Sequence, residues 1–224
     1  MRWPLCVFAP CSGSLRSRTP FAGRAPSRTN RYDVIAPGES RVERWLRCPE
    51  KTCCSYYTVF VTGDDLARIA RTLAVAPWTF TAALPCRPED FGAFALDKSE
   101  KRYRAALVRL RFEQHGKPIC TFLVRAPDGA ARCGLGEGRP ATCRSFPAQL
   151  IDGRIQFETS GCSCDWSQVA PADADAELLR AEERTRAQYT SILATWNDYV
   201  ATLASAGEIT YQDFCRYLLD AYSA

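Results

Sequence analysis

Histidine is nearly absent from this chain, since His115 is the only one among 224 residues. Metal sites that combine histidine with cysteine, and catalytic triads that need a histidine base, can therefore account for little of its chemistry. Long apolar runs are also missing, so the sequence predicts no membrane-spanning helix. It contains no Gly-rich strand–loop–helix segment that would cradle a nucleotide-like cofactor.

Acidic residues are absent from the first 32 positions, which carry six arginines. The remaining residues contain 23 basic and 25 acidic side chains, so their net charge is about −2. This charge does not suggest nucleic-acid binding. We predict that residues 1–32 are a disordered Arg/Ser/Pro-rich tail, either a transit-like segment or the result of a start codon assigned too far upstream.

Cysteine, in contrast, is abundant, with twelve residues. So many cysteines indicate disulfides in a secreted chain, but metal or redox chemistry in a reducing compartment. The apolar stretch from Trp3 to Pro10 is short and is broken by prolines, unlike an export signal. We therefore favour metal ligation over disulfides and expect a cytoplasmic protein.

The cysteines are organised around one loop, Cys133 to Pro147, whose glycines and prolines exclude a continuous helix. Thiolates prefer soft or borderline metals, so the expected cofactor is zinc or iron, the latter also as an iron–sulfur cluster. About eight thiols would fill two four-ligand sites, or one cluster with thiols to spare. The predicted ligands are Cys48, Cys53, Cys54, Cys120, Cys133, Cys143, Cys162 and Cys164.

Positively charged side chains lie close to these cysteines in the sequence. A site of four thiolates carries net negative charge, so nearby cations stabilise it and tune its reduction potential. We assign this role to Arg139 and Arg144, which flank the ligands of the central loop. The alternative is that they pair with carboxylates such as Glu137.

Local patterns predict an α+β fold, in which short antiparallel strands carry the ligands and flanking helices cover them. Alternating apolar residues and turn residues predict strands or hairpins at 57–61, 103–112, 119–133 and 151–155. Helical spacing and capping residues predict helices at 62–73, 78–84, 173–207 and from Thr210 onwards. We divide the chain into the tail 1–32, a cysteine-cluster domain at 33–170 and a helical extension at 171–224. The extension is expected to pack on the cysteine domain, with a partner-binding hairpin as the alternative.

The order of these elements resembles the YkgJ-type cysteine-cluster family, which is described as a zinc- or iron-chelating domain. The shared elements are Cys48 with Cys53-Cys54, the capped helix Thr62 to Leu73, Cys120-Thr-Phe122-Leu123, the loop Cys133 to Pro147, and Cys162 with Cys164. Leu135-Gly136 stands where the family usually has Ile-Tyr, which loses an aromatic ring but no ligand. Cys86 and Cys215 lie outside the pattern. We predict Cys86 in a loop and Cys215 in the core of the last helix.

The resemblance implies further functions, because the family is often labelled an iron–sulfur oxidoreductase. It also extends to the cysteine-rich part of flagellin lysine methylases. Three hypotheses follow: a module whose metal holds a loop-rich fold together, an iron–sulfur redox or electron-transfer protein, and a protein lysine methylase-like enzyme. We expect the first and leave enzymatic activity open. The expected partner is an unknown protein, not a nucleic acid or a membrane.

Overall fold

The computed structural model describes residues 40–48, 53–54, 57–110, 118–125, 127, 131–157, 166, 169, 172–203 and 209–223. The tail predicted at 1–32 lies outside the described residues. So do two of the predicted ligands, Cys162 and Cys164.

Three of the five described helices begin at a residue whose side chain caps the helix, at Ser40, Thr62 and Thr210. The described residues include the helices α1 (Arg41–Arg47), α2 (Gly63–Leu73), α3 (Ala141–Ser145), α4 (Asp173–Thr202) and α5 (Tyr211–Ala221). The predicted capping boxes of α2 and α5 are confirmed, because Thr62 and Thr210 each accept a hydrogen bond from the backbone N–H three residues on. Helix α1, which was not predicted, begins with a similar box at Ser40 and Glu43. Within the described residues, no helix combines the length and apolar character that a bilayer crossing requires.

The strands are short and form antiparallel pairs. They are β1 (Thr81–Cys86) with β2 (Arg102–Leu107), β3 (Arg109–Leu110) with β4 (Ile119–Cys120), β5 (Leu123–Arg125) with β6 (Ala131–Cys133), and β7 (Ala148–Ile151) with β8 (Arg154–Phe157). This mixture of helices and antiparallel strand pairs confirms the predicted α+β class. The Asp-Gly hairpin is also confirmed, with positive φ angles of 50° at Asp152 and 73° at Gly153, as a type I′ turn requires.

The helix predicted at 78–84 is wrong. Only Pro77–Thr79 forms a short 3₁₀ turn, and β1 then pairs along its full length with β2, from Thr81 opposite Leu107 to Cys86 opposite Arg102. Pairing with a distant strand outweighs the weak local helical pattern, and an edge strand tolerates Pro85. Cys86 therefore ends a strand and does not lie in a loop.

The segments predicted as strands at 103–112 and 119–124 are each divided, the first at Val108 and the second at Thr121 and Phe122. The N–H of Val108 donates to Phe80, and the N–H of Thr121 donates to Val108. Cys120 and Cys133, both within the hairpin predicted at 119–133, therefore lie in separate strand pairs. Cys120 is opposite Arg109 in one pair, and Cys133 is opposite Leu123 in the other. The segment predicted as a strand at 57–61 forms one isolated bridge, between Phe60 and Ala106.

One hydrophobic core joins α2 to the two C-terminal helices. Phe94 and Phe214 are fully buried and their rings stack, with centroids 3.7 Å apart. Trp196 on α4 packs against the ring of Phe214 and donates its indole N–H to the carbonyl of Ala95 at 2.8 Å. Cys215 on α5 is fully buried in this core, as predicted.

Candidate metal centre

Five of the eight predicted ligands line one cavity, which has a volume of about 460 Å³. They are Cys53, Cys54, Cys120, Cys133 and Cys143. These cysteines come from four separate segments of the chain: the residues before α2, strand β4, strand β6 and helix α3. Tertiary folding therefore brings them together, since their spacing in the sequence follows no single local motif.

Cys53 and Cys54 are neighbours in the sequence and both face the cavity. Their backbone is helical, and their sulfur atoms are 4.0 Å apart. Two thiolate ligands of a tetrahedral zinc ion, each about 2.3 Å from the metal, lie about 3.8 Å apart. The observed separation of this pair is therefore close to the one that a shared metal needs.

The thiols of the cavity influence one another electrostatically. Burial raises the pKa of the Cys143 thiol well above its usual value, and charge on Cys120, Cys133 or Cys53 would raise it further. The pKa of Cys54 is also raised, first by its hydrogen bond with Cys53 and then by burial. Thiols in such a cluster keep their protons in the absence of a cation, and a bound metal would favour the deprotonated form.

Backbone N–H groups act in the opposite direction on two of the sulfur atoms. Burial raises the pKa of Cys120, but a hydrogen bond from the backbone of Phe122 lowers it. Backbone hydrogen bonds from Leu135 and Gly136 act in the same way on Cys133. Donors directed at sulfur stabilise a thiolate and are typical of the surroundings of metal–sulfur sites.

Arg139 supplies a positive charge to the same cavity. Its side chain is buried, and its guanidinium lies 4.0 Å from the centroid of the Trp45 ring. Its Nε donates to the carbonyl of Gly136 at 3.0 Å. Burial raises the pKa of Cys133, and the charge of Arg139 opposes this rise, as expected of a cation that stabilises a thiolate site.

The three other predicted ligands, and Arg144, are placed differently. Cys48 is buried at the end of α1 and is not among the residues that line the cavity, although Trp45 is. Cys162 and Cys164 lie outside the described residues. Arg144 does not line the cavity either, and in the described part of the chain its buried Nε has no hydrogen-bond partner.

Helix α2 holds the first half of the cysteine loop in place. Asp65 is fully buried and accepts a hydrogen bond from the N–H of Ala141 at 2.9 Å, in addition to capping its own helix. Arg68 donates to the carbonyls of Gly138 at 2.7 Å and Arg139 at 3.0 Å. The two side chains also pair with each other at 2.8 Å, so they fix the backbone that leads to the cavity cysteine of α3.

Helices α1 and α4 hold the second half of the loop. Arg41 donates to the carbonyls of Arg144 and Phe146. Its guanidinium also pairs with Asp175 at 2.7 Å, and both side chains are nearly inaccessible to solvent. Ser145 donates its hydroxyl to a carboxylate oxygen of α4. These contacts leave the cysteine of α3 between two anchored stretches of backbone.

The sequence did not indicate most of these anchoring residues. Asp65 was predicted only as a helix cap, and Arg41 and Arg68 had no predicted role. The signal available for Arg68 was its position three residues after Asp65, which predicts an ion pair on one helix face. No local pattern indicates that either side chain also contacts a loop seventy or more residues away.

The distances between possible ligand side chains show whether a coordination sphere is already formed. As the side chains are placed in the described ranges, no set of three or more His, Cys, Asp or Glu groups is close enough together to hold a metal ion. The five cysteines that line the cavity therefore do not already form a coordination sphere in this structure.

No protein-family model, curated protein or solved structure matches the chain. The resemblance to the YkgJ-type family therefore stays a prediction, and the assignment of function depends on the residues of the cavity.

Proposed function

We propose that this chain is a metal-binding cysteine-cluster protein that holds zinc or iron through thiolates, with an iron–sulfur cluster as one form of the iron site. The observation that supports the proposal is the convergence of Cys53, Cys54, Cys120, Cys133 and Cys143 on one cavity. A hydrophobic core alone gives no reason for five buried or half-buried thiols from four segments to meet at one place. A thiolate site for a soft or borderline metal does.

The surroundings of the thiols fit such a metal. Five cysteine sulfur atoms line the cavity, backbone N–H groups reach Cys120 and Cys133, and the guanidinium of Arg139 offsets negative charge. When bound, the metal would cross-link four segments of a loop-rich region and contribute its binding free energy to folding. The protein itself brings the thiols together and shields them from water. The thiols would give up their protons when the metal binds.

The test is metal analysis of the full-length chain purified without oxygen, together with its absorption spectrum and acid-labile sulfide content. We expect stoichiometric zinc or iron in the wild type and a large loss of metal in the variants C53S and C143S. The matched control is C86S, because Cys86 is a half-buried thiol at the end of β1 that does not line the cavity. C86S is expected to keep the metal content of the wild type.

The outcomes separate the forms of the proposal. Brown protein with iron and sulfide supports a cluster, and a reversible change in its spectrum on reduction would favour electron transfer. Colourless protein with stoichiometric zinc supports a structural module. If the wild type contains neither metal and its thiols are paired as disulfides, or if C53S and C143S keep full metal content, the proposal is wrong.

A further inference from the structure

Charged and aromatic side chains also line the cavity, and a thiolate metal site gives no reason for them. The guanidinium of Arg104 on β2 lies 3.6 Å from the centroid of the Phe60 ring. The guanidinium of Arg186 on α4 lies 4.7 Å from the centroid of the Phe91 ring. All four side chains line the cavity. We call these two cations and their rings the arginine wall. Arg186 also pairs at 3.8 Å with Glu182, which lines the same cavity, so Arg104 is the cation of the wall without a carboxylate partner among the described residues.

Among the described residues, the guanidinium of Arg104 makes no hydrogen bond or ion pair, and its contact is with the ring of Phe60. The carboxylate whose charge acts on it, Asp90, is already bound by Arg87 at 2.9 Å. Burial lowers the pKa of Arg104, and the charge of Arg186 lowers it further. The unused donors of a partly desolvated cation are suited to a negatively charged ligand.

Tyr189 provides an independent indication of a ligand. It is 1% exposed, and its buried hydroxyl has no hydrogen-bond partner in the described part of the protein. A buried hydroxyl without a partner has lost its hydrogen bonds to water, and an acceptor on a ligand would restore one. Tyr57 also lines the cavity, and its buried hydroxyl likewise has no hydrogen-bond partner among the described residues.

Gly92 shows that Arg104 and Tyr189 approach the same point from different elements. A Cβ atom at this glycine would lie 3.5 Å from Cε1 of Tyr189 and 4.0 Å from Nε of Arg104. Both are ordinary van der Waals separations, so the ring edge of Tyr189 and the guanidinium of Arg104 both lie beside Gly92, whose φ angle of +84° favours glycine.

We propose that the arginine wall, formed by Arg104, Arg186 and Tyr189 with the rings of Phe60 and Phe91, binds the carboxylate or phosphate group of a small organic anion. A guanidinium recognises both groups through paired N–H donors. The rings and the other apolar side chains of the cavity favour an organic body over a bare hydrated ion. A volume of about 460 Å³ is within the range typical of small-molecule sites. The site shares its cavity with the thiols but needs no metal.

The test is calorimetric titration of the full-length chain with benzoate, phenyl phosphate and inorganic phosphate. Saturable binding of benzoate or phenyl phosphate is expected, and the tighter of the two identifies the anionic group. R104Q should weaken binding about 10-fold or more, because a charged hydrogen-bond donor is lost. Y189F should weaken it by a few-fold without lowering stability, since the hydroxyl has no partner in the free protein.

The matched control is R216Q. Arg216 also lies over an aromatic ring, 5.2 Å from the centroid of Trp78, but it is paired with Asp213 and does not line the cavity. This variant should bind the probes as the wild type does. The proposal is overturned if no probe binds saturably, if R104Q and Y189F both bind like the wild type, or if inorganic phosphate binds as tightly as the organic probes.

Metal content measured on the same samples keeps the two proposals apart. Probe binding that survives in metal-depleted C143S supports the arginine wall independently of the metal. A metal-loaded wild type that binds no probe overturns the arginine wall alone.

Discussion

The hydrophobic core and the cysteine loop at Cys133 to Pro147 are held in different ways. In the core, apolar side chains such as Phe94 and Phe214 stack with no accessible surface. In the loop, charged side chains bind the backbone directly, as the buried Asp65 does at Ala141 and the half-buried Arg68 at Gly138. One region is stabilised by burial of apolar area and the other by directional hydrogen bonds.

This difference follows from the secondary structure of each region. The helices of the core satisfy their own backbone groups, so their side chains are free to pack. The loop has only a 3₁₀ turn, Gly136–Gly138, and the five-residue helix α3, so several of its buried N–H and carbonyl groups need partners from elsewhere. We infer that the core sets most of the folding free energy, while the buried charges set the geometry of the thiol cavity.

The largest expected effect is in the core. F214A removes a fully buried ring that packs against Phe94 and Trp196, so we expect a loss of about 4 kcal/mol in the free energy of unfolding. Urea denaturation measures it. Metal content per folded molecule should not change. The control Y199A replaces a residue on α4 that is 53% exposed and should have little effect. A loss below about 1 kcal/mol in F214A would contradict this account of the core.

Breaking an anchor of the loop should have a somewhat smaller effect on stability but a clear one on metal binding. R41M leaves Asp175 and the loop carbonyls without their buried partner, and we expect a loss of about 3 kcal/mol in the free energy of unfolding. Metal content should fall as well, since the loop is released. The matched control R216M breaks an exposed pair and should change stability by about 0.5 kcal/mol or less.

The two measurements together sharpen the comparison between the regions. If R41M loses stability but keeps its full metal content, Arg41 stabilises the fold as the core does and does not set the geometry of the thiol cavity. If F214A loses metal as readily as R41M while still folded, the two regions are not separable in the way proposed.

The smallest expected effect concerns the pH dependence of the core. Burial raises the pKa of the Cys215 thiol from its usual 9.0 to about 12. Since the folded state holds this proton more tightly, its contribution to stability is complete below about pH 9 and is lost as the pH rises toward 12. Between these values the stability of C215A should fall less steeply than that of the wild type, by up to about 1.4 kcal/mol per pH unit. Urea denaturation from pH 8 to pH 11 measures the two slopes, and equal slopes would contradict the prediction.

Where sequence patterns act over a few residues, they predicted the structure well. The capping boxes at Thr62 and Thr210, the Asp152-Gly153 turn and the buried position of Cys215 are of this kind. Each depends on contacts within about one helical turn or one hairpin, or on the apolar face of one helix, so the local residues decide the result.

The candidate site was predictable in its residue types but not in its arrangement. The abundance of cysteine and the scarcity of histidine are enough to indicate thiolate chemistry. The grouping of Cys53, Cys120 and Cys143 in one cavity, and the arginine wall beside them, could not be predicted, because no local pattern relates side chains so far apart in the chain.

The sequence by itself determined the α+β class, the starts of the main helices and the abundance of cysteine at the candidate site. Only the tertiary structure decided that β1 is a strand, because its partner β2 supplies the hydrogen bonds that a local helical pattern could not outweigh. It also gave Asp65 a second role, since the carboxylate that caps α2 meets the N–H of Ala141 only when the cysteine loop folds back onto that helix. Local interactions select the elements, and contacts between distant segments select the site.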